Sequence, residues 1–193
     1  MFSDIISDIL DDSVRVKQTA IRQNAGKIAE CAEKIAEAIR LGNKLMIFGN
    51  GGSAADAQHL AAEFVNRFRI ERPPLAAIAL STDTSVITSI GNDYRFDDIF
   101  SKQIRALGKH GDIALGISTS GNSKNVLEAM RAARDIGMFT VGFTGKGGGI
   151  VPWSDLAFTV ESDVTARIQE THITIGHILC ELTDRILFPE SFK

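Results

Sequence analysis

The sequence predicts an α/β fold: a three-layer sandwich with a central, mostly parallel five-stranded sheet, helices on both faces, and a helical segment ahead of it. Three observations carry that expectation. Short apolar runs alternate with helix-periodic stretches through most of the 193 residues, the order that lays strands parallel with helices crossing over them. The strongest of these runs are apolar at nearly every position, as strands buried on both faces are. The first 40 or so residues contain no such run, only apolar residues at three- and four-residue steps.

Taken in order, Ile5, Ile6 and Ile9, then Ile28, Ala32, Ile35, Ala36 and Ile39, place a helix over 2–41, and Gly42-Asn43 stops it. "KLMIF" (44–48) is the first strand, and the helix after "GNGGS" spans about 54–68. "LAAIAL" (75–80), behind Pro73-Pro74, is the second strand. Residues 85–90 are helical, and Asp97 and Asp98 open a further helix to about 107. "DIALGIS" (112–118) is the third strand, followed by the helix "NSKNVLEAMRAARDIG", which Gly137 closes. "FTVGFT" (139–144) is the fourth strand and "LAFTV" (156–160) a weaker fifth, and a last helix covers about 166–187. No repeat or linker divides the chain, so 1–193 is one domain, with 1–41 as helical segment and 42–193 as α/β core.

Composition removes several function classes. Net charge is -3, with no basic stretch long enough for a nucleic-acid groove. No apolar run reaches the roughly 18 residues of a membrane span. The opening "MFSDIISDILDD" is acidic and lacks the basic start of a secretory signal. Cys31 and Cys180 are the only cysteines and lie far apart, which argues against a disulfide framework. The expectation is a cytoplasmic protein without nucleic-acid or membrane partners.

Two loops at the carboxyl ends of strands are chemically suggestive, because ligands of such sheets sit there. Gly49 to Ala54 fits the dinucleotide pattern G-x-G-x-x-A, and Glu71 follows about 20 residues later. Glu71, however, lies in "ERPP" ahead of the second strand, and a long helical segment precedes the first strand. "GKGGG" (145–149) fails the triphosphate loop, lacking the earlier glycine and a Ser or Thr after Lys146. A third reading is one phosphate on the helix N-terminus, with Ser53 as N-cap and Ser53-x-x-Asp56 as capping box; the loop could equally do no more than start a helix. "ISTSGNS" (117–123) sets Ser118, Thr119, Ser120 and Ser123 around Gly121. Such a turn donates hydrogen bonds to a compact anion, and without a cation of its own it suits a phosphate monoester. Together the loops point to a modest ligand, anionic at one end and polyhydroxylated at the other.

His59 and Glu63 are four apart, so they share one helix face, separated by about 6 Å along the axis. That spacing alone favours an exposed ion pair; just after a phosphate loop, a metal pair or an acid–base pair is the alternative. In the last helix His172 and His177 stand about 140° apart and do not share a face.

"GNGGSAADAQHLAAEF", "IGNDYRFDDIF", "LGISTSGNSKNV" and "RIQETHITIGH", in this order and over nearly the whole chain, resemble the phosphoheptose isomerases of the sugar isomerase (SIS) fold family. The resemblance implies an aldose–ketose isomerase acting on sedoheptulose 7-phosphate and giving D-glycero-D-manno-heptose 7-phosphate, toward lipopolysaccharide heptose. It implies Glu63 as base and His177 as acid. It implies a zinc ion, one per subunit, held by His59, Glu63, Gln169 and His177. Substrate contacts carry over to Asn50, Gly51, Gly52, Ser53, Glu63, Asn92, Asp93, Ser118, Thr119, Ser120, Ser123 and Gln169. It also implies a homotetramer with sites at subunit interfaces, packed in part through segment 1–41.

One difficulty stands beside this. Gln169 and His177 are eight apart, about 12 Å along a straight helix, whereas zinc ligands lie about 2 Å from the metal. Either the helix is broken between them or the site combines residues of different copies; the second is preferred. The competing expectation is a non-catalytic protein of the same fold that binds the bacterial replication initiator, which "VNRF" (65–68) resembles. That relative lacks a carboxylate at the position of Glu63, which favours the enzyme.

Overall fold

The computed structural model describes residues 1–192. Helix α1 (Phe2–Arg40) is followed by β1 (Leu45–Gly49), α2 (Gly52–Val65), β2 (Ala77–Ala79), α3 (Thr84–Asp93), α4 (Ser101–Leu107), β3 (Ile113–Ser118), α5 (Lys124–Ile136), β4 (Phe139–Thr144), β5 (Leu156–Thr159) and α6 (Thr165–Leu187). Every strand expected from the sequence is present, and all of them pair in parallel, in the order β2-β1-β3-β4-β5. The sheet therefore reverses its direction of growth between β1 and β3, the point at which open parallel sheets leave a crevice beyond their carboxyl ends.

Alternation along the strands builds the three layers. Leu45, Ile47, Ile113, Leu115 and Ile117 face a core closed by α1, α2 and α6, which includes Ile35, Leu60 and Leu179. Met46, Phe48 and Ala114 face the opposite core, closed by α4 and α5 through Phe100, Ile104 and Met130. Gly137 ends α5 in the left-handed conformation, at φ 83°. The expected helix from Asp97 begins instead as a 3-10 turn, Phe96–Asp98, ahead of α4.

Helices α2 and α6 lie side by side and run in the same direction. Gly52 rests on Gln169, His59 on His177, and Leu60 on Gly176, a nearly constant offset. Gly176 makes the approach close, since a Cβ there would come within 2.6 Å of Leu60 Cδ2. Helix α6 runs unbroken from Thr165 to Leu187, which removes the broken-helix option.

His172 turns away from this seam into the core. It is fully buried, its Nε2 bonds the Thr144 carbonyl at 3.1 Å, and its ring lies against Phe143. Burial holds its pKa down to about 4, against the opposing pull of the Thr144 carbonyl. The folded value lies below the unfolded one near 6.5, so the unfolded chain binds more protons in the window between them. Stability from this group is complete above about pH 6.5 and is lost as pH falls toward 4. Between pH 7 and 4.5 the wild-type chain should lose about 2–3 kcal/mol more than His172→Asn, by urea unfolding at each pH; equal losses would refute this role.

Candidate functional site

At the sheet reversal, β1 ends in Gly49 and the chain turns through Asn50 and Gly51, which takes φ 54° and caps α2. Ser53 is not the cap. It sits inside the first turn, buried, with its amide bonded to the Asn50 carbonyl. The expected capping box is absent: Asp56 Oδ2 is buried without a partner. Burial raises the Asp56 carboxyl, and His59, one turn on, opposes this. Glycine at position 51 supplies the positive φ that a serine cap would have avoided.

The second loop leaves β3 alongside. Ser118 Oγ donates to Ser123 Oγ at 3.0 Å and lies 3.4 Å from Ser120 Oγ. Gly121, at φ 67°, lies so close to the Gly147 carbonyl that a side chain there would collide with it. Ser123 precedes α5 without capping it through its side chain. The hydroxyls thus gather around one small volume at the N-terminus of α5, which favours an anion.

The two loops are bolted together by a residue that the sequence did not single out. Asn50 and Asn125 exchange amide hydrogen bonds, each 2.9 Å, and Asn125 is buried. Lys146 was set aside with the failed triphosphate loop, yet it lines a cavity of about 270 Å³ with Thr119 and Ser120, paired at 2.5 Å with Asp163. It is a cation beside the serine loop, held by its own carboxylate partner.

Two turns along the α2–α6 seam the reactive side chains meet. His59 Nε2 lies 2.8 Å from His177 Nε2 and 3.5 Å from Glu63 Oε1. Phe68 stacks on His177 with ring centres 5.5 Å apart. Burial lowers the His177 pKa; the charge of His59 adds to this and that of Glu63 opposes it. A neutral imidazole here can donate or accept a proton near neutral pH. His59 therefore stands within reach of both Glu63 and His177 of its own chain.

Gln169 does not join them. Its amide packs on Gly52 beside the first loop, two turns of α6 away from His177. Asn92 and Asp93 also stand apart. They close α3, a helix with no buried residue; both are exposed, and Asn92 bonds Asp93 at 2.8 Å. The sequence-derived residues thus form a loop cluster carrying Gln169, a His–Glu–His cluster, and a detached pair on α3.

With this geometry in view, relatives are informative. The SIS domain family model matches residues 10–145. The chain is 58% identical over 178 residues to a phosphoheptose isomerase of Nitratidesulfovibrio vulgaris, covering 92% of this chain and 86% of that one. It is similar to the phosphoheptose isomerase structure from Neisseria gonorrhoeae (TM-score 0.89, 44% identity, 95% and 99% of the two chains). The Francisella tularensis phosphoheptose isomerase structure gives TM-score 0.91, 39% identity, and 96% and 99% coverage.

Proposed function

Because this chain belongs to the SIS domain family and is a phosphosugar isomerase with a heptose phosphate isomerase role, we propose that it converts sedoheptulose 7-phosphate to D-glycero-D-manno-heptose 7-phosphate through an enediol. The product would feed lipopolysaccharide heptose synthesis. The observation that carries this reading is the meeting of His59, Glu63 and His177 beside two hydroxyl- and amide-lined loops at the sheet reversal.

Ser118, Thr119, Ser120 and Ser123 take the phosphate, with Ser53 behind them. Remote binding energy of this kind fixes the reacting carbons. Asn50, Gly51, Gly52, Asn92, Asp93 and Gln169 hold sugar hydroxyls. Glu63 removes the proton from C1 and returns it to C2. His177 gives its N–H proton to the C2 oxygen as negative charge develops there, and recovers one from the C1 hydroxyl, so protons balance over the cycle. Burial of His177 suits this, because a neutral imidazole donates without carrying charge into the site.

The donor set near Glu63 fits zinc by type: two imidazoles and a carboxylate. Among the described residues no three such side chains already surround a common point. Tetrahedral donors on bonds of about 2.0–2.1 Å lie roughly 3.3 Å apart. The 3.5 Å His59–Glu63 edge meets that value, and the 2.8 Å His59–His177 contact must open by about half an ångström. Zinc, one per subunit, would be held by His59, Glu63 and His177, with Gln169 from a neighbouring copy. It would supply a Lewis acid for the carbonyl.

The direct test is an isomerase assay on sedoheptulose 7-phosphate, with and without a chelator. Product formation that the chelator suppresses and zinc restores is expected. No product in either condition overturns the reading in favour of the initiator-binding relative. A finer test is Gly52→Ala. Alanine improves helix propensity at the start of α2, but its Cβ collides with the Gln169 amide. Tm should hold or rise while kcat/KM falls about tenfold, in line with a displaced contact. Unchanged kinetics would remove Gln169 from the site.

A further inference from the structure

Helix α2 ends two residues after Glu63 without the usual glycine stop. Its C-cap, Asn66, is at φ -88°, so the last carbonyls need another donor. Arg72 supplies it. The side chain folds back from the following loop and is only 2% exposed. Its Nη2 donates to the Glu63 carbonyl at 2.8 Å, and Nη1 to the carbonyls of Phe64 at 2.8 Å, Asn66 at 3.3 Å and Pro73 at 3.2 Å. Nε donates to Asp184 Oδ1 at 2.8 Å, and that side chain is equally buried. A cation at the carboxyl end of a helix is favoured by the macrodipole, and only a planar guanidinium reaches so many acceptors at once.

Asp184 lies seven residues after His177, about 20° around α6, so both leave the same face. Cys180 is buried between them; burial first, then the charges of Glu63 and Asp184, hold its thiol protonated. It is an inert spacer in the seam. The whole assembly links the backbone of Glu63 to the helix face that carries His177.

We propose that Arg72, anchored by Asp184, is a positioning residue that holds Glu63 in register with His177. This rests on the base role given to Glu63. The clamp fixes Glu63 at its own carbonyl, so the carboxylate is aimed from a backbone that does not fray. A buried ion pair of this kind is weak support for stability in general, since desolvation offsets attraction. Its placement at the last turn of α2, which carries the reactive carboxylate, gives it a purpose that stability does not.

The test compares Arg72→Lys and Asp184→Asn with Asp112→Asn. Asp112 is also buried and pairs with Lys44 at 2.5 Å, but at the amino ends of the strands, away from the site. Both clamp variants should lower kcat ten- to hundredfold with KM within about twofold, the size of effect expected from misplacement near 1 Å. Asp112→Asn should lose Tm with kcat retained. Clamp variants that keep kcat within about twofold of wild type, or that lose it only in proportion to Tm, overturn the proposal. Should the wild-type protein itself not turn over, the substrate reading fails separately, and amide exchange decides the clamp. Faster exchange confined to amides 63–66 in Arg72→Lys supports it; unchanged exchange there overturns it.

Discussion

Glu63→Gln is expected to lower kcat at least about a thousandfold while the protein stays folded and still binds substrate. Gln keeps the shape of Glu, so packing against α6 is retained, but it cannot accept the C1 proton. A positioned general base contributes roughly 10²–10⁴ in rate, and Glu63 is the carboxylate that pairs with His59, itself 2.8 Å from His177. The stability term is small. The pair that is lost, His59 to Glu63 at 3.5 Å, is half exposed on the His59 side, and such pairs are worth about 0–1 kcal/mol. Tm should therefore move by only a few degrees. Steady-state kinetics and calorimetric titration of sedoheptulose 7-phosphate check the two halves separately. Full activity in this variant would sink the assignment of Glu63 as base.

The features of this fold that depend on local pattern were legible. Runs of apolar residues gave all five strands: β1, β3 and β4 are buried on both faces and read as continuous apolar stretches, while the edge strands β2 and β5 are only partly buried. Gly137 marked its helix end because only glycine enters the left-handed region cheaply there. The first loop was misjudged by one detail: Ser53 fits the N-cap preference, but Gly51 holds the cap, because the backbone turns through positive φ there.

What escaped were contacts between distant segments. Asn125 looks like an ordinary first-turn residue of α5 until β1 and β3 lie side by side and bring Asn50 to it. Arg72 reads as a loop charge in "ERPP"; its role appears only when α2 and α6 pack in parallel. The spacing of His59 and Glu63 alone favours an exposed ion pair. The α2–α6 register, which Gly176 permits by its lack of a side chain, brings His177 to that pair, a meeting that spacing within α2 could not announce. The separation of Gln169 from His177 was legible from helix geometry alone, and α6 keeps it.

Ile5→Glu combined with Ile9→Glu should break the assembly and abolish turnover without unfolding the core. The first ten residues of α1, 2–11, are all exposed, among them Phe2, Ile5, Ile6, Ile9 and Leu10. A helix of that length is marginal alone in water, and apolar stripes of this size mark interaction surfaces. We propose that the stripe packs against other copies in a homotetramer. Little in its own chain would be lost: Ile5 and Ile9 are about half exposed, and the hydrogen bond from Arg167 Nη1 to Ile9, 2.9 Å, runs to the backbone carbonyl, which side-chain substitution leaves in place. Turnover should nonetheless fall, because Gln169, Asn92 and Asp93 do not meet His59, Glu63 and His177 within one chain. If the site is completed between copies, separated chains retain the His–Glu–His cluster but not the groups that finish it. Light scattering should show a species smaller than the tetramer, circular dichroism an unchanged fold, and the assay a loss of at least about a hundredfold in kcat/KM. A smaller species with full activity would show that one chain carries a complete site, and α3 would then have to close over its own loops. A double variant that remains tetrameric would free the stripe from the role given to it.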